Sequence, residues 1–262
     1  MTISTTRDNR LKRILTKTAA ALFWVAVWAF AYISVRQDLL IASPADVLRR
    51  LSQLVCEMSF WRTVLYSMGR IMFGYILGVA AAVILAVGAG FFTPIREITK
   101  PFIGVVKATP VASFIILALV WMKTGAVPTF ISFLMVLPIV WTNLMEGISQ
   151  VDKSLLETAA VFELSKKQIL KKIYLPSSLP YFTAGCTAGL GLAWKAGIAA
   201  EVLAVPKNSI GLMLYDSKIY LETVDLFAWT LTVILFSMIL EWVLNIITRK
   251  VFKKYRFNRE GN

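Results

Sequence analysis

The chain has 262 residues, of which 58% are hydrophobic and 16% are charged, and its mean hydropathy is +0.70. This composition predicts a polytopic helical membrane protein and argues against a soluble domain. The net charge of +13 is then expected to reflect topology and lipid headgroups, not nucleic acid. The sequence has no histidine, which excludes His-based catalysis, and its two isolated cysteines, Cys56 and Cys186, give neither a metal-ligand spacing nor an expected disulfide.

Six segments are long and apolar enough to cross a bilayer, which takes about 20 residues. They are 19–35, 64–92, 101–122, 127–147, 179–205 and 226–247. The first follows a basic stretch, as a signal peptide would, but its apolar run is too long, so an uncleaved span is preferred. The expected fold is an all-α membrane protein with six transmembrane helices. Along the chain, an N-terminal segment (1–18) precedes the first span and an external loop (36–63) follows it. The other five helices form a core (64–247), and a basic tail (248–262) follows the core.

The positive charges predict that both termini are cytoplasmic. With that orientation, cytoplasmic segments hold 18 of the 28 Lys and Arg residues and external segments hold 7. The polar segment 148–178, here called the 148–178 loop, then faces the cytoplasm.

The external loop carries the signals of a short helix. Ser43 is a good N-cap, Pro44 suits the first helical position, and Asp46 places an acid in the first turn. Val47, Leu48, Leu51 and Leu54 are expected on one face, so an amphipathic helix is predicted, most simply for packing.

The 148–178 loop predicts two further helices. Ser154 with Glu157, and Ser165 with Gln168, both fit capping boxes. Leu175-Pro176 is expected to end the second helix, because proline cannot continue it and disfavours helix in the residue before it. From the residues alone, a solvated pair of surface helices and a docking surface are equally good interpretations.

The spacing in this loop resembles the cytoplasmic motif of ATP-binding-cassette importer permeases. That motif is Glu-Ala-Ala, three residues, Gly, nine residues, Ile, one residue, Leu-Pro. Here Glu157-Thr158-Ala159 take the first places and Ile173 and Leu175-Pro176 the last, but Glu163 stands where the motif has Gly. A residue other than Gly in a left-handed turn costs on the order of 1 kcal/mol.

The resemblance extends from about Ser43 to Trp242 and is nearest to the nitrate/taurine/sulfonate branch of these permeases. Its other stretches include Thr109-Pro110-Val111-Ala112-Ser113, Pro138 to Asn143 and Trp194 to Glu201. The resemblance implies the type I importer permease fold in a bacterial inner membrane. It also implies a dimer of such subunits, a separate ATPase on the loop and an external substrate-binding protein. The residues implied to dock the ATPase are Glu157, Thr158, Ala159, Ala160, Phe162, Glu163 and Leu164.

The chain itself has no G-x-x-x-x-G-K-[ST] phosphate loop. We therefore expect no cofactor on this chain, no metal and no enzymatic activity of its own, with ATP bound by a partner.

Ionisable groups at membrane depth are functional candidates. Lys107, Lys195 and Glu201 are such candidates for the translocation pathway. Thr109-Pro110 and Leu137-Pro138 are expected to interrupt the third and fourth spans, and broken helices often line a pathway, so Pro110 is a further candidate, although a packed kink is at least an equally good interpretation. Trp194 is a candidate because it shares a helix face with Glu201. Lys195 and Glu201 are six residues apart and cannot pair on one regular helix, so each needs a partner from another helix or from water in a pathway. For Glu146 and Glu241, snorkelling or a structural pair is the simpler interpretation. Gly74 and Gly78 predict a close-packing face.

Two functions are consistent with these features. The first is the permease subunit of an ATP-driven importer for a small solute, which the resemblance suggests is a small organic anion. The alternative is an ion-coupled secondary transporter or channel, for which the sequence shows no inverted repeat. An intramembrane enzyme is not supported, since the chain lacks histidine and spaced acid pairs.

Overall fold

The computed structural model describes the backbone of residues 4–260 and the side chains of residues 15, 16 and 18–250. All regular secondary structure in residues 4–260 is helical, which confirms the all-α part of the predicted fold. The basic side chains of Arg7, Arg10, Lys12, Arg13 and Lys17, and those of the tail after Lys250, lie outside the described residues.

The helices follow one another in a simple order. They are α1 (Ser4–Val35), α2 (Pro44–Cys56), α3 (Met58–Phe91), α4 (Thr93–Ala108), α5 (Val111–Trp121), α6 (Val127–Ser149), α7 (Lys153–Val161), α8 (Lys166–Ile169), a π-helix (Leu170–Tyr174), α9 (Leu175–Ala204), α10 (Ile210–Ile219) and α11 (Thr223–Glu260).

Four helices among the described residues are long and apolar enough to cross a membrane. Their segments are Thr18–Val35, Met58–Phe91, Val127–Ser149 and Thr223–Lys250, and α4 with α5 supplies a fifth if the bent pair counts as one span. The 30-residue α9 covers the predicted segment 179–205 but is not among them. Glycine, serine, threonine and proline lower its hydropathy.

The predicted third span is a broken helix. The axes of α4 and α5 differ by 104° across Thr109-Pro110. Thr109 is extended (φ −83°, ψ 130°), as the residue before a proline prefers, and Pro110 has no N–H to continue the helix. At 1.5 Å per residue, the 11-residue α5 is only about 16 Å long, roughly half the hydrocarbon thickness.

The expectation that Pro138 interrupts the fourth span is wrong. Helix α6 runs continuously from Val127 to Ser149 with Pro138 buried inside it. One turn later, the Thr142 hydroxyl donates to the Pro138 carbonyl at 2.7 Å. The bond that Pro138 cannot make is the one to the Leu134 carbonyl, and the helix stays continuous there because Leu134, Leu137 and Pro138 are all buried by packing.

The chain divides into two compact units. The first comprises Met1–Trp61 and Met213–Thr232. Within it, Trp28 stacks on Phe227 with ring centroids 5.7 Å apart, and Arg50 binds both carboxylate oxygens of Asp225 at 2.6 and 2.8 Å. This hydrogen-bonded carboxylate raises the pKa of Arg50.

The short helix predicted after Ser43 is confirmed as α2. The Ser43 hydroxyl accepts a hydrogen bond from the Asp46 N–H at 3.2 Å, and Pro44 is the first helical residue. Val47 and Leu54 are buried, but Leu48 is 57% exposed, so the predicted apolar face is narrower than expected.

The second unit comprises Arg62–Leu212 and Val233–Asn262. Its most extensive helix contact is between α6 and α9. A core cluster joins Val106 of α4, Ile115 of α5, Ile131 of α6 and Ala200 of α9. These helices therefore share one apolar core within this unit.

Gly74 and Gly78 form the close-packing face that their spacing predicts. A Cβ on Gly78 would lie 2.8 Å from the Phe133 carbonyl oxygen, and one on Gly74 would collide with the Thr129 carbonyl. Both glycines thus let α3 approach the backbone of α6, as small residues do in membrane bundles.

Candidate functional site

The 148–178 loop forms the two helices that its sequence predicts, but the first begins earlier. The N-cap of α7 is Asp152, whose carboxylate accepts from the Ser154 N–H at 2.8 Å. The predicted capping box between Ser154 and Glu157 is therefore wrong, because Asp152 is an equally good cap two residues upstream. This hydrogen bond lowers the pKa of Asp152.

The predicted capping box at Ser165 is confirmed. The Ser165 hydroxyl accepts from the Gln168 N–H at 3.4 Å, and the Gln168 side chain accepts from the Ser165 N–H at 2.8 Å. This exchange of bonds fixes where α8 begins.

The end of α7 is a left-handed turn at Glu163. Glu163 has φ +50°, the conformation that the motif's glycine would adopt without strain. Its N–H donates to the Ala160 carbonyl at 3.1 Å, and the Leu164 N–H donates to the Ala159 carbonyl at 3.0 Å. These two bonds make a Schellman motif. The turn geometry of the motif is thus kept although the glycine is not.

The loop has its own small core. Val151, Ala159 and Ile173 are buried together, with Leu164 packed against them. This packing places an apolar tip at the end of α7, where Val161 is 81% exposed and Phe162 is 73% exposed. Of the residues expected to dock a partner, Ala159 is buried, whereas Glu157, Thr158, Ala160, Phe162 and Glu163 are exposed.

The expectation that Leu175-Pro176 ends the second helix is wrong. The chain stays helical from Lys166 to Ala204, with the π-helix between α8 and α9. The Leu175 N–H bonds to the Leu170 carbonyl, five residues back. The Ser178 hydroxyl donates to the Tyr174 carbonyl. The missing N–H of Pro176 thus falls directly after the π-turn, where the backbone bonding changes from five residues back to four.

A second polar site lies inside the bundle around Glu201. The Glu201 side chain has no exposed surface, and one of its oxygens accepts from the Ser67 hydroxyl at 2.7 Å. The other oxygen lies 3.4 Å from the Arg70 guanidinium. The prediction that Glu201 needs a partner from another helix is therefore confirmed, since Ser67 and Arg70 belong to α3.

The same carboxylate caps the start of α10. It accepts from the Gly211 N–H at 3.2 Å, while Ser67 accepts from the Ile210 N–H at 2.9 Å and Ser209 from the Leu212 N–H at 3.0 Å. An anion is favourable at the positive end of a helix, and these N–H groups have no partner within α10.

The turn between α9 and α10 is strained and held by Arg70. Val205 has φ +48°, which is unusual for a β-branched residue. Arg70 donates to the carbonyl of Lys207 at 2.9 Å and lies 3.4 Å from that of Asn208. Such strain persists only where surrounding contacts fix the backbone, and here the Glu201 network supplies them.

The other pathway candidates fall into two groups. Lys107, Pro110 and Lys195 are exposed, and Lys107 donates to the Thr142 hydroxyl at 2.8 Å. Trp194 is buried and donates its indole N–H to the Val233 carbonyl at 3.0 Å.

Glu146 and Glu241, the two acids near the span ends, differ in their exposure. Glu146 is exposed and accepts from the Gln150 side chain at 2.8 Å. Glu241 is half-buried, with one oxygen near Gly191. Neither forms an ion pair with a described side chain.

Sequence reasoning missed three residues. Val161 was left out of the docking set although it is the most exposed apolar residue of α7, and its place beside the motif's glycine position could have indicated this. Ser67 and Ser209 complete the Glu201 network. Ser209 precedes α10 as an N-cap would, but Ser67 has no local signal.

The chain is similar to known membrane components of transport systems. Residues 71–253 match the family described as the binding-protein-dependent transport system inner membrane component. The taurine transport system permease protein TauC of Escherichia coli is 23% identical over 230 residues, covering 86% of this chain and 83% of that protein. The nitrate import permease protein NrtB of Synechococcus elongatus is 30% identical over 155 residues, covering 59% of this chain and 55% of that protein.

Two solved structures share the fold. The crystal structure of an amino acid ABC transporter with histidines matches with a TM-score of 0.60 at 11% identity, covering 79% of this chain and 96% of that one. An inward-facing structure of the MetNI methionine ABC transporter matches with a TM-score of 0.53 at 17% identity, covering 74% and 93%.

Proposed function

Because this chain belongs to the family of binding-protein-dependent transport system inner membrane components, we propose that it is the permease subunit of an ATP-driven importer. It is a multi-pass protein of the bacterial inner membrane. Relatives include permeases for taurine, aliphatic sulfonates, nitrate and bicarbonate. This membership favours the importer over the ion-coupled transporter or channel.

The apolar tip of α7 is the structural observation that best supports docking of an ATPase at this loop. Val161 and Phe162 together expose large apolar side chains beyond the loop's own core. Exposed aromatic anchors on a rigid support are typical of binding hot spots. The Schellman motif supplies that support, so ATP-driven movement of the partner would be passed to α8 and α9. Alternating access then needs no covalent chemistry on this chain.

Copurification tests this docking. The tagged full-length chain is purified from its host membranes, and a copurifying protein with a phosphate loop is quantified by mass spectrometry. We expect Phe162→Ala to lower its yield about tenfold, since one hot-spot side chain contributes about 1–2 kcal/mol. Phe30→Ala is the matched control, because Phe30 is 71% exposed but lies in α1. Equal yields from Phe162→Ala and wild type would refute the docking role.

We propose that Lys107 and Lys195 face the solute pathway and that a small anion is the solute. Both ammonium groups are exposed at the level of predicted spans, and an isolated charge facing lipid is costly. Trp194 and Glu201 are buried and hydrogen-bonded, so we assign them a structural role beside the pathway and no contact with the solute. Uptake of labelled taurine, sulfonate, nitrate or bicarbonate should fall in Lys195→Gln but not in Lys123→Gln.

The finer assembly is also proposed: six membrane crossings, two cytoplasmic termini, a homodimer of this chain and an external substrate-binding protein. The charge distribution and the family support it. Cys56 is exposed at the end of α2 and Cys186 is buried. A membrane-impermeant maleimide should therefore label Cys56 in intact spheroplasts, and labelling only after lysis would overturn this orientation.

A further inference from the structure

An apolar groove runs along the second unit beside the 148–178 loop. One wall is α3, through Val83, Val87 and Phe91, and the floor is α6, through Leu144 and Ile148. The opposite wall is the π-helix and the start of α9. The groove encloses about 310 Å³, within the range of small-molecule sites.

The groove is apolar along its length and basic at one point. Lys171 is the one charged residue among those that line it. The Ser178 hydroxyl is already used by the Tyr174 carbonyl, and the Tyr174 ring meets Phe91 edge-on with centroids 5.5 Å apart. The lining therefore offers little to a small polar solute, which would lose its hydration without replacement hydrogen bonds.

The ammonium group of Lys171 is available to an anion. The ion pairs among the described side chains are Arg50–Asp225 and Arg70–Glu201, so no carboxylate neutralises Lys171. Lys166, Lys167 and Lys172 lie on the same short segment and are exposed. An apolar groove whose lining includes one uncompensated cation matches an amphiphile with an anionic head.

We propose that this groove binds one acyl chain of an anionic phospholipid, with the lipid phosphate at Lys171. The lipid comes from the cytoplasmic leaflet, whose anionic headgroups attract basic segments at the membrane surface. The groove lies at the end of a membrane span, because Phe91 is the last residue of α3 and Lys171 belongs to the polar loop that follows α6. This placement rests on the cytoplasmic orientation in the proposed function.

The π-helix helps to make the site. Its wider turn lies between α8 and α9 and carries Leu170, Lys171 and Tyr174, all of which line the groove. Single π-turns within α-helices often occur at functional sites. Here the π-turn carries the cation and two of the apolar contacts on one short segment.

Native mass spectrometry of the purified full-length chain tests the site. The probes are phosphatidylglycerol and phosphatidylcholine with the same acyl chains. Lys171→Gln should weaken phosphatidylglycerol binding about fivefold, as expected for one lysine at a lipid surface, and leave phosphatidylcholine unchanged. Lys166→Gln is the matched control, since it removes the same charge outside the groove and should have no effect.

A second variant tests the apolar part. Val87→Trp should fill the groove and weaken both lipids, while leaving Lys171 in place. Equal effects of Lys171→Gln and Lys166→Gln, or wild-type binding by Val87→Trp, would overturn the proposal. A disulfide between two copies through Val87→Cys, in a Cys56→Ser background, would show that a second chain occupies the groove and would also overturn it.

The lipid site and the docking role can fail separately. Phe162→Ala should keep the lipid, and Lys171→Gln should keep the ATPase in copurification. Loss of lipid binding in Phe162→Ala would show that the groove depends on the apolar tip of α7, and would overturn the proposed lipid site.

Discussion

Replacing Glu163 tests whether the left-handed turn at the end of α7 is strained. Its backbone is left-handed at φ +50°. That conformation costs an L-residue roughly 1–2 kcal/mol, whereas glycine adopts it freely but loses about 0.5–1 kcal/mol more backbone entropy on folding. The difference leaves a net gain of about 0.5–1 kcal/mol for Glu163→Gly. The glycine that the family motif has here should therefore tighten the turn.

Hydrogen exchange measures this gain locally. The amides of Glu163 and Leu164 are both bonded across the turn, at 3.1 and 3.0 Å. If they exchange through local opening, Glu163→Gly should slow the exchange of Leu164 about two- to fivefold. The measurement needs the full chain in detergent or nanodiscs, with peptides covering residues 153–170.

Glu157→Gly is the matched control for this prediction. Glu157 lies within α7, where glycine costs about 1 kcal/mol of helix stability, so the same substitution should speed exchange. Opposite effects of the two variants would support the left-handed turn. Slower exchange in both variants, or faster exchange in both, would refute it.

Three further predictions address the bundle and the loop. Glu201→Ala should cost about 3 kcal/mol in the free energy of unfolding, because it leaves Arg70 without its carboxylate; a denaturation series would show this, and a loss below about 1 kcal/mol would contradict it. Gly197→Ala should cost about 1–3 kcal/mol, since its Cβ would lie 2.6 Å from Ile71 Cγ1, whereas Gly104→Ala, with open space around it, should not destabilise the protein. Because the pKa of Asp152 is lowered by folding, its capping contribution is full above about pH 4 and is lost as the pH falls through the lower, folded value. The protection factor of the Ser154 amide, which is the intrinsic exchange rate at each pH divided by the observed rate, should therefore fall in acid, and Asp152→Asn should remove that acid dependence.

Local signals predicted much of the fold. The caps at Ser43 and Ser165 and the contact of Gly74 and Gly78 with α6 are confirmed, because each depends on residues close in sequence or on a simple helical spacing. Asp152 was missed as a cap because Asp and Ser are equally good caps, and the sequence alone does not choose between neighbours.

Tertiary contacts explain what the sequence did not predict. Pro110 signals a break but not a bend of 104°, which depends on how α5 packs in the core with α6 and α9. Nothing local indicates that Glu201 meets Ser67, since 134 residues separate them. Pro176 remains inside helical structure because a π-turn precedes it, and that turn has no strong local signature.

The helical stretch from Lys166 to Ala204 is continuous along the chain. At 1.5 Å per residue its contour length is about 58 Å, with the 148–178 loop at one end and the Glu201 network at the other. If the stretch moves as one body, tilting it by about 5° about one end moves the other by up to about 5 Å, roughly the pitch of one helical turn. Val205, strained in its left-handed turn, sits where that displacement arrives. In the proposed importer, a rotation of a few degrees that starts at the 148–178 loop would therefore reach the Val205 turn as a displacement of about 5 Å.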